Sequence, residues 1–392
     1  MKILQTAVVG LGRIAWGFHL PQIACTPGFS LAAVVDPIAE RRLEAQQKFA
    51  VESTFGSLQE LLSCQPPDLL VIASPTPMHE EQCIAAMAAG CDVFCDKPIA
   101  PSFDSAQRIF SACRYFGRKL TVYQPHRYKA CMSVLRQIID TGNLGRIYRV
   151  ERHAESFNRR SDWQAFAENG GGMLLNYGSH FIDQLLALFP GEIVSLEAYM
   201  DCVVSQGNAE DIVDLRMELA EDITLLLSIS QAAAIPMPAW RMLGTHGTAV
   251  GNDGQWQLRY FIPEEVETVP LSRDFAAPQR LYNREKILWH EETLSEGDEA
   301  NYYSMLYDYY ARNLTPPVFA KETLALCKII DCARDSAKKK SFKTNAGSKD
   351  SKLNFPKMTQ LLETFGLMQT SDLCRTDSKK LNAEKANFPN EI

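Results

Sequence analysis

The chain has 392 residues and a formal net charge of −7, so it is long enough for two domains and too acidic to favour nucleic acid or an anionic membrane as its main partner. No stretch is apolar for long enough to span a bilayer, and the first apolar run is too short for a signal peptide. The 11 cysteines form no C-x-x-C pair and the seven histidines are dispersed. This pattern predicts free thiols, no metal site and a cytoplasmic location.

The first part of the chain alternates apolar strands with helices, which is typical of a parallel, doubly wound α/β sheet. We expect such a domain over residues 1–123, with ligands bound across the carboxyl ends of its strands. The predicted strands cover residues 3–9, 31–35, 69–73, 92–95 and 120–123, and the predicted helices cover 79–89 and 103–116.

The pattern then changes to longer strands, which predict an α+β domain over residues 124–344 with an antiparallel or mixed sheet covered by helices on one face. We expect its last helix, near 322–340, to pack back on the first domain. Residues 345–392 are polar and basic, and we expect a disordered tail without an assigned function. The predicted strands cover 147–153, 194–199, 212–218, 224–230 and 256–261, and the predicted helices cover 132–141, 302–313 and 322–340.

A glycine-rich turn follows the first predicted strand, in the order G-x-G-x-x-A: Gly10, Leu11, Gly12, Arg13, Ile14 and Ala15. The first glycine permits a tight turn, the second lets a pyrophosphate approach the backbone, and the small last residue lets a helix pack on the strand. Asp36 ends the next strand, where a carboxylate accepts hydrogen bonds from a ribose 2′-hydroxyl. The pattern predicts NAD as the cofactor, while Arg41 and Arg42 leave NADP open.

Three further motifs lie where the sheet predicts a ligand. Ser74, Pro75, Thr76 and His79 follow the third predicted strand; Asp96, Lys97 and Pro98 follow the fourth; and the second domain contains a run from Gly170 to His180. A lysine in a closed cleft loses part of its basicity by desolvation, which suits proton transfer. Asn176 and His180 share one face if their segment is helical.

Together these motifs resemble those of the Gfo/Idh/MocA oxidoreductases, over roughly residues 3–344. The resemblance implies a Rossmann domain that binds NAD(P) and a second domain with a large open, mostly antiparallel sheet. That sheet often forms an oligomer interface in the family, so a homodimer or homotetramer is expected. It also implies that Lys97 lies near the nicotinamide and the substrate, that His180 is the catalytic histidine, and that Gln124 belongs to the segment below the nicotinamide.

Two positions depart from the family pattern. Asp96 stands where the family has glutamate, and Asn176 stands where it has aspartate. An amide cannot carry charge beside an imidazolium, so a carboxylate–histidine relay is in doubt. We therefore expect Lys97 or His180 to act without a carboxylate, or Tyr177 to participate.

The remaining candidates are contacts to cofactor or substrate. For His79 a cofactor contact is weighed against a helix-capping role, and for Arg160 and Trp163 a substrate contact is weighed against an exposed loop. The candidate substrate contacts are Arg127, Tyr128, Arg160, Trp163, Asn176 and His180. We expect an NAD(H)-dependent oxidoreductase that acts on a secondary alcohol or ketone of a sugar, polyol or related cyclic compound. The alternative is a non-catalytic NAD-binding sensor on the same fold.

Overall fold

The computed structural model describes residues 2–252, 254–267, 273 and 286–341. The expected tail, 345–392, lies outside these residues, as do the last residues of the expected second domain. No helix among the described residues is both long and apolar enough to cross a membrane.

The first sheet has six parallel strands in the order β3-β2-β1-β4-β5-β6. The order reverses between β1 and β4, and this reversal creates the crevice where a doubly wound sheet binds its ligand. The parallel α/β domain expected from the sequence is confirmed. Its strands are β1 (Leu4–Val9), β2 (Phe29–Val35), β3 (Ser53–Phe55), β4 (Leu69–Ile72), β5 (Asp92–Cys95) and β6 (Leu120–Val122).

The connecting helices have recognisable ends. α5 begins after Ser102, whose hydroxyl accepts a hydrogen bond from the Ser105 backbone N–H, and it ends at Gly117 in the left-handed region. The glycine-rich turn leads into a short π-helical turn, Ala15–His19, before α1. The helices are α1 (Leu20–Cys25), α2 (Ala39–Phe49), α3 (Leu58–Cys64), α4 (His79–Ala88) and α5 (Phe103–Phe116).

The second sheet has eight strands in the order β14-β13-β12-β11-β7-β10-β9-β8. Its pairs are antiparallel except for β7 with β10, so the expected mostly antiparallel sheet is confirmed. Sequence analysis missed β11, β12 and β14. The strands are β7 (Ile147–Glu155), β8 (Ile193–Asp201), β9 (Ile212–Leu219), β10 (Thr224–Ser230), β11 (Trp240–Gly244), β12 (Gly247–Asn252), β13 (Gln255–Tyr260) and β14 (His290–Ser295).

Four more α-helices follow β6 in the described part of the chain: α6 (Ala130–Thr141), α7 (Ser179–Leu188), α8 (Tyr302–Arg312) and α9 (Ala320–Ser341). α8 packs on the first sheet through buried tyrosines. The hydroxyl of Tyr302 donates to the Val122 carbonyl at 2.8 Å, and that of Tyr310 donates to the Val93 carbonyl. These bonds satisfy polar groups inside an apolar layer.

α9 contacts both halves of the molecule. Asp331 accepts a 2.8 Å hydrogen bond from the Phe103 backbone N–H at the start of α5, and Arg334 donates to the Pro101 carbonyl at 2.8 Å. Farther along, the Ser336 hydroxyl accepts from the Ala198 backbone N–H of β8 at 3.1 Å. The helix therefore holds the first domain against the second sheet.

A buried ion-pair cluster joins three segments that are far apart in sequence. Arg127, which follows β6, lies 2.5 Å from Asp183 of α7 and 2.5 Å from Glu322 of α9. Burial alone would lower the pKa of Arg127, but its bonds to Asp183 and the charge of Glu322 raise it. Removing the arginine would leave a buried carboxylate without a partner.

We predict that Arg127→Met lowers the free energy of unfolding by about 3–5 kcal/mol, because Asp183 would remain buried and uncompensated. Urea denaturation would measure this loss. Arg216→Met removes the surface pair with Glu218 and should cost less than about 1 kcal/mol, since both groups stay in water. Equal losses in the two variants would contradict the importance of the buried cluster.

Candidate active site

A cleft of about 410 Å³ opens at the carboxyl ends of β1, β2, β4 and β5. The loop between β7 and α7 forms its other wall. The predicted cofactor and substrate residues that line this cleft are Gly10, Gly12, Arg13, Ile14, Asp36, Ser74, Pro75, Thr76, Asp96, Lys97, Trp163 and Asn176.

The glycine-rich turn leaves space on the cleft side. Gly10 has φ of +87°, and a Cβ there would lie 2.6 Å from the Ser74 backbone nitrogen, so only glycine fits between β1 and β4. A Cβ on Gly12 would meet no protein atom within 4 Å, although Gly12 lines the cleft. The side chains of Leu11 and Ala15 are buried in the core, so these two residues can contact a ligand only through their backbone.

Asp36 lies at the end of β2 with its carboxylate fixed by backbone donors. Its two oxygens accept hydrogen bonds from the Leu11 and Ile38 N–H groups at 2.8 and 2.9 Å. Arg41 lies 3.6 Å from the same carboxylate and also lines the cleft, while Arg42 donates to the Asp36 carbonyl at 2.6 Å. The turn and the acid therefore form one rigid unit, and Arg41 is positioned near any group that Asp36 would bind.

Lys97 occupies the centre of the cleft, at the end of β5. Its ammonium donates to the backbone carbonyl of Asn176, and its backbone N–H donates to Asp96 at 2.7 Å. Burial lowers the pKa of Lys97 to about 8, with Asp96 opposing the shift and Arg13 adding to it. Burial also raises the pKa of Asp96 to about 6, against the charge of Lys97. The amine of Lys97 can thus exchange a proton near neutral pH.

His79 does not reach the cleft, contrary to the expected cofactor contact. Its ring is buried between two backbone carbonyls, 2.8 Å from that of Ser74 and 3.0 Å from that of Pro98. The Pro98 carbonyl belongs to the turn after β5, which also contains the cis peptide bond between Lys97 and Pro98. His79 therefore links the turn after β4 to the turn that carries Lys97.

His180 is paired with Gln124, which the sequence predicted as a cofactor contact. The His180 Nδ1 lies 3.1 Å from the Gln124 amide oxygen, and the ring stacks on His126 with centroids 3.9 Å apart and an interplanar angle of 10°. Burial lowers the pKa of His180 well below its usual value, and the charge of Lys97 adds to this effect. A neutral ring that donates through Nδ1 keeps Nε2 as an acceptor.

Sequence analysis predicted Gln124 as a cofactor contact and not as the partner of His180, and it assigned no role to His126. Gln124 occupies the place that a carboxylate would take in a charged relay, but its amide adds no charge. The available signal in the sequence was the spacing of Gln124 and His126, which stand two positions apart in one short segment near α7.

Asn176 and Tyr177 lie in a π-helical turn, Leu174–Gly178, that precedes α7. Lys97 contacts the backbone of Asn176, so the amide side chain remains available to the cleft that it lines. Tyr177 is 40% exposed and stacks on Phe181, and it is not among the side chains that line the cleft.

Four expected substrate contacts, Arg127, Tyr128, Arg160 and His180, are not among the residues that line this cleft. Arg127 is committed to the buried cluster with Asp183, and the Tyr128 hydroxyl donates to the Pro317 carbonyl at 2.6 Å. Arg160 donates to Gln164 and lies 3.5 Å from Asp162, so it organises its own loop. Trp163, from the same loop, does face the cleft and is 52% exposed. Within the described residues no cluster of acidic, histidine and cysteine side chains could hold a metal ion.

We predict that Gly12→Ala weakens NADH binding by at least about tenfold, because the new methyl group fills the space that a pyrophosphate would approach. The thermal midpoint should not change, since that methyl group meets no protein atom. Fluorescence titration with NADH would measure the affinity. Gly17→Ala is the matched control, because its methyl group also meets no atom but Gly17 lies outside the cleft-lining set. Equal NADH affinity in both variants would contradict this placement.

Comparison with known proteins agrees with the observed fold. A family model described as an oxidoreductase family with an NAD-binding Rossmann fold matches residues 4–124, and a Gfo/Idh/MocA C-terminal domain model matches residues 132–250. An NAD-binding protein from Listeria innocua has a solved structure that superposes with a TM-score of 0.74 at 23% identity, over 87% of this chain and 96% of that one. The likeness to that structure shows a shared fold.

Curated relatives are similar over shorter regions. An uncharacterised oxidoreductase of Schizosaccharomyces pombe is 32% identical over 193 residues, which make up 48% of this chain and 52% of the relative. D-glucoside 3-dehydrogenase of Escherichia coli is 28% identical over 183 residues, 46% of this chain and 52% of that protein. The chain thus spans about half the length of these relatives. The two matched domains together cover more than half of the chain, which therefore belongs to the Gfo/Idh/MocA family of NAD-binding oxidoreductases.

Proposed function

We propose that the protein transfers hydride between NAD(H) and a secondary alcohol or ketone of a sugar, a polyol or a related cyclic compound. The observation that carries the proposal is the buried amine of Lys97, which lies in the same cleft as the glycine-rich turn and Asp36. The open space at Gly12 and the acid at the end of β2 fit a dinucleotide. The name of the glucoside dehydrogenase relative supports the substrate class.

Oxidation of a secondary alcohol requires two transfers. The carbon loses a hydride, for which bound NAD⁺ would supply the acceptor, and the hydroxyl loses a proton. Neutral Lys97 takes this proton and becomes an ammonium ion. In the reverse direction the ammonium polarises the ketone and returns the proton. The backbone carbonyl of Asn176 holds the amine in position for both directions.

His180 serves as a neutral hydrogen-bonding group. Gln124 fixes its Nδ1, so Nε2 can accept a hydrogen bond from a substrate hydroxyl. Charging this buried ring would cost free energy, because no carboxylate is bonded to it and Lys97 is nearby. We therefore assign proton exchange to Lys97 and orientation of the substrate to His180. The Asn176 side chain lies at the wall of the cleft.

The cofactor preference follows from Asp36. Its carboxylate accepts from two backbone N–H groups and lines the cleft, where an acid at the end of the second strand would accept from a ribose hydroxyl and favour NAD over NADP. Arg41 reduces this preference because its guanidinium could pair with a 2′-phosphate.

We further propose a cytoplasmic enzyme that forms a homodimer or homotetramer through its eight-stranded sheet. All ten cysteines in the described part of the chain are free, which supports a reducing compartment. Size-exclusion chromatography with light scattering would test the assembly, and a monomer at micromolar concentration would contradict it.

We predict opposite pH dependences for the two directions. The pKa of Lys97 is lowered to about 8, so the neutral base gains population as the pH rises through 8 and the ammonium loses it. The value of kcat/KM for alcohol oxidation should therefore rise through about pH 8 and then level off, while that for ketone reduction should fall. Initial rates of nicotinamide absorbance over pH 6–10 would measure both. Parallel profiles in the two directions would exclude Lys97 as the proton carrier.

We predict that Lys97→Met lowers kcat for oxidation by about 10²–10⁴-fold, since the proton acceptor is lost. Affinity for NADH should change by less than about tenfold, because the glycine turn and Asp36 remain. Lys48→Met, an exposed lysine near Trp16, serves as the control and should retain full activity. A protein that binds NADH but never turns over a polyol or sugar, with or without Lys97, would support the sensor alternative.

A further inference from the structure

Arg152 of β7 is a partly buried arginine whose guanidinium packs against two aromatic rings. It lies 4.1 Å from the ring centroid of Phe181 and 5.0 Å from that of Trp240. One of its terminal nitrogens donates to the carbonyls of His153 and Ala239, the latter at 3.0 Å. Its Nε is buried and has no hydrogen-bond partner.

Among the described residues, no carboxylate lies within ion-pair distance of Arg152, which sets it apart from Arg127. Both arginines contact α7, through Phe181 and Asp183 respectively, but Arg127 is neutralised by two carboxylates. Burial lowers the pKa of Arg152 to about 10, whereas the carboxylate partners raise that of Arg127. Shielding a guanidinium from water without supplying an anion costs free energy, so Arg152 carries a charge that remains to be balanced.

This unbalanced charge lies beside the candidate catalytic residues. Phe181, which covers Arg152, lies 5.8 Å from His126, and His126 stacks on His180. Burial and the charges of Lys129, Lys97 and Arg152 together lower the pKa of His126 to about 3. The charges of Lys97 and Lys129 act on both stacked imidazoles and that of Arg152 acts on His126, and neither Lys129 nor Arg152 has a carboxylate partner among the described residues.

We propose that Arg152 binds a carboxylate of the substrate, so that the enzyme prefers sugar acids to neutral sugars. The inference rests on the proposed hydride transfer at Lys97 and adds the substrate class to it. A carboxylate suits this group because Nε and a terminal nitrogen of one guanidinium form a planar fork that matches two carboxylate oxygens. The rings of Phe181 and Trp240, whose centroids lie 4.1 and 5.0 Å from the guanidinium carbon, stabilise the cation in this place.

The test uses matched pairs of acids and neutral parents: glucuronate with glucose, galacturonate with galactose, and gluconate with sorbitol. Calorimetric titration into the full chain saturated with NADH would give their affinities. At least one acid should bind about tenfold or more tightly than its neutral partner, as expected of a charge-assisted bidentate contact. Arg152→Met, which keeps the length of the apolar side chain, should abolish this difference, and Arg152→Lys should retain part of it.

Arg149→Met is the matched control, because Arg149 lies on the opposite face of the same strand, paired with Glu151. This variant should keep the acid preference. Unchanged NADH affinity in every variant would show that the chain remains folded. An Arg152→Met protein that loses acid and neutral ligands equally would overturn the proposal, since Arg152 would then only support Phe181 and Trp240.

The two proposals fail differently. If an acid binds in an Arg152-dependent way but no compound in the panel reduces NAD⁺, the anion site is supported and the dehydrogenase activity fails on this panel. If neutral compounds are oxidised with Lys97 dependence and no acid binds more tightly than its neutral parent, the anion site is overturned while the dehydrogenase is supported.

Discussion

The removal of the Lys97 amine from water is the constraint on which the candidate site depends. The parallel sheet ends β5 inside the cleft, and the π-helical turn before α7 presents the Asn176 carbonyl to the amine. Burial then moves the pKa of Lys97 into the range in which a proton can be exchanged at neutral pH. The two halves of the chain therefore have to be assembled before this amine acquires its chemistry.

The helix α7 organises the second half of the site through three adjacent contacts. His180 meets Gln124 and His126, Phe181 covers Arg152, and Asp183 binds Arg127. The Asp183 contact is a neutralised ion pair that fixes the helix against the segment after β6. The other two contacts carry no carboxylate, and this is why His180 stays neutral and Arg152 stays unbalanced. Stability and chemistry thus depend on neighbouring residues of one helix.

Local sequence patterns predicted most of the first domain. The strand β4 is a continuous apolar run, β1 and β5 are apolar toward their carboxyl ends, and the predicted limits of all three differ from the observed ones by at most one residue. The short strand β3 was missed because only one of its three residues is apolar. In the second domain, β11 and β12 were missed because glycines interrupt their alternation. The glycine turn, Asp36 and Lys97 were identified because their chemistry follows directly from strand ends.

Long-range pairings could not be predicted from local pattern. Gln124 and His180 are 56 positions apart, and Arg127 stands next to candidate ligand residues yet turns toward α7 instead of the cleft. Direct measurement of the Lys97 pKa would test the central claim, by NMR titration of the NADH-bound protein labelled with ¹³C at the lysine ε-carbon. Loss of the signal in Lys97→Met would assign it. An inflection near pH 8 is expected, and an inflection near 10.5, the value of a solvated lysine, would contradict the role of Lys97 as proton carrier.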